Sequence, residues 1–350
     1  MNFTKKRLWI FIITGLSIIL ISGCARDITG SGTEEDPFII HNFRGLEKIG
    51  KEESYSLSSH YRLGDNIDAA ETKDEEYNEG KGWDPIGEYD SSGKSRPFTG
   101  SFDGQNYEIK DLKINRSEEE VIGLFSYIED GVVINLGIDT IDITGKRYVG
   151  GIVGYNKGVI KNTYTEGKIN GEWITGGLAG WNFSGTIENS NSASEVEGIG
   201  RLGGLAGYNS SAVIEKSYAT GDIEGKDWNV GGLVGTNREK GIITRSYARG
   251  SVKGYARVGG LTGVNTGIVK RSYSTGKVAG EWLTGGLIGW TFDGVIEESY
   301  WDKIASDQDN SNGGRGRNTE EMQNKDNYRN WDFEKNWEIE GNQSYPEHIN

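Results

Sequence analysis

The sequence predicts an all-β chain: a parallel β-solenoid (β-helix) of about seven coils of 26–28 residues, with an irregular N-terminal cap and a short α-containing C-terminal cap. Three observations lead there. A glycine-rich phrase, Val149-Gly150-Gly151-Ile152-Val153-Gly154, returns from Thr175, Leu202, Val230, Val258 and Thr284, at intervals of 26, 27, 28, 28 and 26 residues. A steady period of this length marks stacked repeats. Between the glycines lie short β-branched runs flanked by polar residues, which read as strands, and 54 glycines in 350 residues weigh against helices. Aliphatic residues also keep column. Ile152, Leu178, Leu205, Leu233, Leu261 and Leu287 make one ladder, and Ile160, Ile187, Ile214, Ile243, Val269 and Ile296 a second. Ile169, Val196, Ile223, Val252 and Val278 make a third. Three ladders predict three sheet faces around one core.

The first element is an export signal. Lys5, Lys6 and Arg7 precede an apolar-rich run over residues 8–21, the charged and apolar regions of a secretory leader, too short to read first as a spanning helix. The run ends in Ile21-Ser22-Gly23-Cys24, which resembles the lipobox of prokaryotic lipoproteins. That resemblance implies removal of residues 1–23, acylation of the Cys24 sulfur and a partner in membrane lipid. Ala25 stands where some lipoproteins of two-membrane cells carry an aspartate to stay at the inner membrane, so the outer membrane is expected in such a cell. Residues 24–36, polar with Gly30, Ser31 and Gly32, read as the lipidated tether. Cys24 is the sole cysteine, so no intrachain disulfide can form. Loss of the leader removes three basic and no acidic residues, taking the formal charge from −14 to −17. An acidic surface of this kind disfavours nucleic acid as a partner.

Residues 37–120 read as an N-terminal cap and first irregular coils, and residues 121–301 as the repeat solenoid, its first and weaker copy starting at Ile122-Gly123-Leu124-Phe125. Each coil carries a second phrase, most complete as Gly267-Ile268-Val269-Lys270-Arg271-Ser272-Tyr273-Ser274-Thr275-Gly276. Asn156, Asn182, Asn209, Asn237 and Asn265 line up after the first phrase. Asparagine tolerates left-handed backbone and its amide can bond along a stack, which predicts a turn ladder. Thr163, Ser190, Ser217, Ser246, Ser272 and Ser299 form a column that asks for a small hydroxyl. Tyr164, Tyr218, Tyr247, Tyr273 and Tyr300 form an aromatic column interrupted by Asn191. Residues 156–190 match 265–299 without a gap, so four coils have been duplicated as a block. Residues 302–350 read as the C-terminal cap, with Asn318 and Glu321 placed as a capping box.

The paired phrases, GGL-x-G-x-N and G-x-I-x-x-S-Y-x-x-G, resemble the GLUG repeat of bacterial and archaeal surface proteins. In that family the repeats accompany secreted immunoglobulin A peptidases without being their catalytic part. The resemblance implies a β-solenoid displayed at the cell surface, as a structural or adhesive module rather than an enzyme.

The residues offer little catalytic chemistry. His41, His60 and His348 are the only histidines and none sits in an H-E-x-x-H spacing, so no metal site and no cofactor is expected. No G-x-S-x-G elbow is present. A polysaccharide lyase or hydrolase on the same scaffold is the alternative, since Glu188, Glu215 and Glu297 share a column, as do Glu172 and Glu281. They recur beside Lys161, Lys270, Arg245 and Arg271, which reads as a solvated charged face. Asp307, Asp309 and Ser311 before Gly313 resemble a calcium loop only faintly and read as a flexible polar loop. Aromatic side chains are the candidate ligand-binding groups: Tyr155, Trp181, Tyr208 and Trp290 after the first phrase, and Trp173, Trp228 and Trp282 near the opposite end of the coil. Exposed, they would stack on glycan rings or anchor a protein partner. Buried, they would cover the corners of the coils.

Overall fold

A computed structural model describes residues 26–341 and 343–349. The leader and Cys24 lie outside the described residues. The strands form a parallel β-solenoid with two large sheets, one of 16 strands and one of 20. In the first sheet ten parallel rungs follow one another: Phe38–Ile40, His60–Leu63, Ser101–Asp103, Phe125–Ile134, Val153–Lys161, Ala179–Phe183, Ala206–Ser210, Val234–Arg238, Thr262–Asn265 and Ile288–Thr291. At one strand separation per rung the stack is about 48 Å long. Three of these rungs lie in the N-terminal cap before the repeats. There Tyr61 pairs with Phe38, and Phe102 with Tyr61. Their connections include the helix Phe43–Glu47 and a 3-10 turn at Ala70–Lys73, which breaks the sequence period without breaking the stack. Ile28–Thr29 pairs antiparallel on Ile40 and so covers the first edge.

The aliphatic ladders are buried, but not around one core. The Ile152–Leu287 and Ile160–Val269 ladders are fully buried and share a continuous core with the aromatic residues Tyr61, Phe98 and Phe102 of the N-terminal cap. From Val196 onward the third ladder separates, and Val196, Ile223, Val252 and Val278 pack with Leu202, Val230 and Val258 into a second apolar column. The glycines explain the division. A Cβ on Gly180 would stand 2.6 Å from Val149 N, and one on Gly207 2.5 Å from Thr175 N. The two strands flanking the GGL corner therefore meet backbone to backbone, which pinches the cross-section between the cores.

Polar ladders satisfy the corners. In the Asn156–Asn265 column each of the first four asparagines donates through Nδ2 to the Oδ1 of the next coil's asparagine at 2.8 Å, and all five are fully buried. The expected stack is present, but these residues lie in extended strands. The left-handed turn falls instead on the column Asn135, Asn162, Asn189, Lys216, Arg245, Arg271 and Glu298, with φ between +45° and +53°. The following hydroxyls bond twice. Ser217 Oγ accepts from the Ser190 amide at 3.2 Å and donates to Glu215 O at 2.7 Å, and Ser246 and Ser272 repeat the pattern.

The C-terminal segment closes the stack and then folds back along it. Asp302 caps the short helix Lys303–Ser306, and Arg315–Arg317 pairs parallel with Tyr300–Asp302. The polar loop at 307–313 acts as a lid rather than a free loop. Ser311 Oγ accepts from the Leu287 and Ile288 amides at 3.2 and 2.8 Å, and Asn310 O accepts from Gly286 N. The capping box at Asn318 and Glu321 is formed. Beyond it Trp331, Trp337 and Tyr345 pack on the tyrosine column, in which Tyr218, Tyr247 and Tyr273 stack at 4.8 and 4.9 Å. Arg249 bonds Glu347 at 2.8 Å, and His348 Nε2 bonds Arg245 O at 2.7 Å.

This docking is expected to depend on pH. Burial, with Lys216, Arg249 and Arg245 nearby, holds the His348 pKa down to about 4, against 6.5 for a free imidazole. Below pH 6.5 the undocked tail takes up a proton that the docked tail does not, so docking weakens as pH falls toward 4 and is constant above about 7. Limited proteolysis of residues 331–349 should accelerate between pH 7 and pH 4.5, and His348→Gln should flatten that dependence.

Candidate ligand-binding faces of the solenoid

Along each first-phrase strand side chains alternate inward and outward. Val153 is buried, whereas Tyr155 faces out and pairs in register with Tyr127 and Trp181. Tyr208, Thr236, Val264 and Trp290 continue the column. The first four of these aromatic residues form an unbroken stripe along the rod. Ring centroids lie 5.1 Å apart for Tyr127 and Tyr155, 5.0 Å for Tyr155 and Trp181, and 5.7 Å for Trp181 and Tyr208. Tyr89 joins at 5.2 Å from Tyr155, and Phe183 at 5.3 Å from Trp181. The rings cover one another, so Tyr155, Trp181 and Tyr208 are half-buried. Burial also raises the Tyr155 phenol above its ordinary pKa, which keeps it a neutral hydrogen-bonding group. Thr236 and Val264 end the stripe. Trp290 stands apart from it, stacked on Phe292 at 6.3 Å with the Arg257 guanidinium 5.2 Å from its ring.

The second group of tryptophans follows a different column, one that alternates large and small. Trp173 is paired with Gly200, and Ala256 with both Trp228 and Trp282. Trp173 leans over Gly200 to meet Trp228 edge-on at 6.5 Å. Arg201 and Arg257 lie over the Trp228 ring at 5.0 and 5.5 Å. Trp282 has no such cover and is 63% exposed.

The seven aromatic residues expected to bind are thus split into two faces, with Trp290 apart from the stripe of the first. Sequence reasoning missed Tyr89, Tyr127, Phe183 and Arg257 as members. Tyr127 was within reach, since it sits in the first, weaker repeat at the place of Tyr155. Tyr89 belongs to an irregular loop with no period to flag it.

The acidic columns behave as a charged face. Lys161 pairs with Glu188 at 3.1 Å and Lys270 with Glu297 at 3.0 Å, while Arg245 pairs with Glu215. Such exposed pairs add little stability. A cleft of about 610 Å³ opens near the N-terminal end beside Tyr89 and contains Asp84, Glu88, Asp90, Glu119 and Glu120. Arg116 ties up both Asp84 and Glu119, at 3.2 and 2.8 Å. The histidines are dispersed: His41 bonds Thr29, His60 bonds Ser101, and His348 lies in the tail. Among the described residues no three His, Cys, Asp or Glu side chains converge as metal ligands would.

The fold and its periodic ladders define a parallel β-solenoid built of glycine-rich repeats. One coil matches a known repeat model: that of the GLUG motif, over residues 198–224. Two curated proteins are similar to part of the chain. Halomucin of Haloquadratum walsbyi is 35% identical over 153 residues, 43% of this chain and 2% of Halomucin. The "Putative Gly-rich membrane protein" of Evansella cellulosilytica is 35% identical over 143 residues, 39% of this chain and 15% of the relative. The matched region is thus a small fraction of either relative. Among solved structures, a "putative immunoglobulin A1 protease" from Bacteroides ovatus superposes with a TM-score of 0.52 over 91% of this chain and 94% of that one, at 18% identity. An IgA1 protease gives 0.50 over 75% of this chain and 21% of its own, also at 18%. At that identity the likeness is one of fold.

Proposed function

We propose that this chain is a non-catalytic module of the cell surface, held to a membrane by lipid on Cys24, that adheres to glycans through outward aromatic faces of its solenoid. The observation that carries the reading is the unbroken stripe of Tyr89, Tyr127, Tyr155, Trp181, Phe183 and Tyr208, in which neighbouring rings lie 5–6 Å apart. Packing alone does not call for aromatic rings at these outward positions, because Thr236 and Val264 fill the same column one and two coils beyond Tyr208. Trp181 Nε1 also lacks a hydrogen-bond partner, a donor that a sugar hydroxyl could use once the neighbouring rings shift. The "membrane protein" in one relative's name agrees with a surface address. Paired, recurring carboxylates, and a cleft in which Arg116 holds Asp84 and Glu119, weigh against hydrolysis or elimination.

The test is to incubate the full chain with cell-wall and host polysaccharides, following tryptophan fluorescence for binding and reducing ends or unsaturated products for turnover. Binding without products is the expected result, and Trp181→Ala should weaken binding at the stripe roughly tenfold. Turnover that disappears on removing a single carboxylate would establish the carbohydrate-active enzyme instead. A labelled lipid precursor should be incorporated into the chain and lost in Cys24→Ser.

A further inference from the structure

Charge alternates rung by rung along the second tryptophan face. Strand register puts Arg201 and Arg257 in one column, two rungs apart, with Asn229 between them. Arg147 stands two rungs before Arg201, in line with Trp173. The intervening rungs carry the opposite sign, since Glu172, Asp227 and Glu281 each directly precede a tryptophan of the column. Arginine therefore recurs about every 10 Å along the rod, with a carboxylate on the rung between. The two signs do not cancel. Among the described residues these three arginines and three acids enter no ion pair, whereas Arg245, Arg249 and Arg271 each hold a carboxylate. The guanidinium groups lie over rings instead: Arg147 over Tyr148 at 5.0 Å, and Arg201 and Arg257 over the one Trp228 indole at 5.0 and 5.5 Å. A cation–π contact positions the charge and spends no N–H donor. Their one hydrogen bond among the described residues is long, from Arg257 Nη1 to Asn229 Oδ1 at 3.5 Å. Arg147 is exposed, and Arg201 and Arg257 are half-buried.

We infer that this face binds an acidic glycan in which a negatively charged ring alternates with a neutral one, lying along the rod. This rests on the glycan-binding reading above and names the class of sugar. An extended, equatorially linked pyranose chain advances by about one strand separation per ring, so its alternate rings fall on alternate rungs. A carboxylate or sulfate on every second ring would meet Arg147, Arg201 and Arg257 in turn, and a guanidinium already held over a ring can take either anion through paired N–H donors. The neutral rings then fall on the rungs of Glu172, Asp227 and Glu281, whose carboxylates accept hydrogen bonds from hydroxyl or amide groups. A polymer charged on every unit, whether a polyuronate or a nucleic acid strand, meets a like charge at each of those rungs and is disfavoured. A neutral glycan leaves all three arginines without a counter-charge.

The experiment titrates the full chain by calorimetry with decasaccharides of hyaluronan and unsulfated chondroitin, which alternate charged and neutral rings, and with hexagalacturonate, chitohexaose and an oligothymidylate. Arg201→Gln and Arg257→Gln remove charge from the face. Arg238→Gln is the control, an exposed arginine on the other sheet, in register with Ser210. The expected result is binding of one or both alternating probes, at least tenfold tighter than the other three, with a loss of roughly tenfold in R201Q and in R257Q and none in R238Q. Asp227→Asn, which removes a like charge, should raise the affinity for hexagalacturonate about threefold, a gain that a damaged fold cannot mimic. Binding of chitohexaose as tight as that of the alternating probes, unchanged in R201Q and R257Q, would overturn the acidic class and leave the glycan reading intact. Equal binding of oligothymidylate, or an equal loss in R238Q, would reduce the face to an unspecific attraction for anions and overturn the inference. Failure of every glycan, polysaccharides included, to bind the wild type would overturn both readings.

Discussion

Replacing Asn209 with alanine should destabilise the solenoid by about 3–5 kcal/mol, one of the two largest effects expected of a single substitution. Asn209 accepts from Asn182 and donates to Asn237, both at 2.8 Å, and also donates to Ala212 O at 3.2 Å. All three asparagines are fully buried. The substitution therefore removes a side chain and also leaves Asn182 Nδ2 and Asn237 Oδ1 without their principal partners where water cannot replace them. Each orphaned group costs about 1–3 kcal/mol, and chains of polarised amides lose more than their pairwise parts. The exposed asparagine ladder supplies the control. Asn162 bonds Asn135 and Asn189 through its amide at 2.9 and 2.7 Å, but those groups face solvent, and its φ of +52° suits glycine. Asn162→Gly should change stability by less than about 1 kcal/mol. Equilibrium urea denaturation followed by circular dichroism decides the matter. Equal losses in the two variants would mean that burial of the inner ladder adds nothing.

The contrast between the two ladders also shows which parts of the fold could be read in advance. The period, the Leu and Ile columns and the small-hydroxyl column are properties of side-chain identity, and the structure places each of them where the repeats require. The left-handed corner is a property of the backbone alone. Its occupants run Asn135, Asn162, Asn189, Lys216, Arg245, Arg271 and Glu298, so no residue type announces it, and the better-kept buried asparagines drew the turn assignment to themselves. The rungs of the N-terminal cap were hidden for another reason. Tyr61, Phe98 and Phe102 fill the core there in place of the aliphatic residues that mark the repeats, and the connections between rungs vary in length.

The candidate site was legible as a set of residues but not as surfaces. Whether a ring on a solenoid is a wall, a floor or a cover depends on what the next coil carries in the same column. Trp173 and Trp282 are equivalent in the duplicated block, yet one lies down over Gly200 and the other stands free beside Ala256. The back-folding of the tail was foreseeable in kind, since Trp331, Trp337 and Tyr345 need an apolar partner. Its docking on the tyrosine column, rather than on the open end, follows from the lid at 307–313 having already used that end's backbone groups.

Gly207→Ala is the second substitution with a large expected effect, because its added methyl group meets only backbone. It would lie 2.5 Å from Thr175 N, 2.6 Å from Ile174 C and 2.8 Å from Arg201 O, and no rotamer change can relieve contacts with the main chain. The strands Tyr164–Gly176 and Ala206–Ser210 must part, which opens the pinch between the two cores and loosens hydrogen bonds in both coils. Overpacking alone costs about 1–3 kcal/mol, and the loss of strand contact should bring the total to about 4 kcal/mol. The site of the damage matters as much as its size. A solenoid is coupled through nearest neighbours, so a weak joint near the middle uncouples its halves. The expected signature is a thermal transition that broadens or splits in two. Gly93→Ala provides the comparison, since a Cβ there meets nothing within 4 Å and only its φ of +90° is unfavourable; it should cost about 1 kcal/mol and leave the transition sharp. A single, unshifted transition in G207A would mean that the two strands are not in backbone contact and that the glycines of the repeat serve some other end.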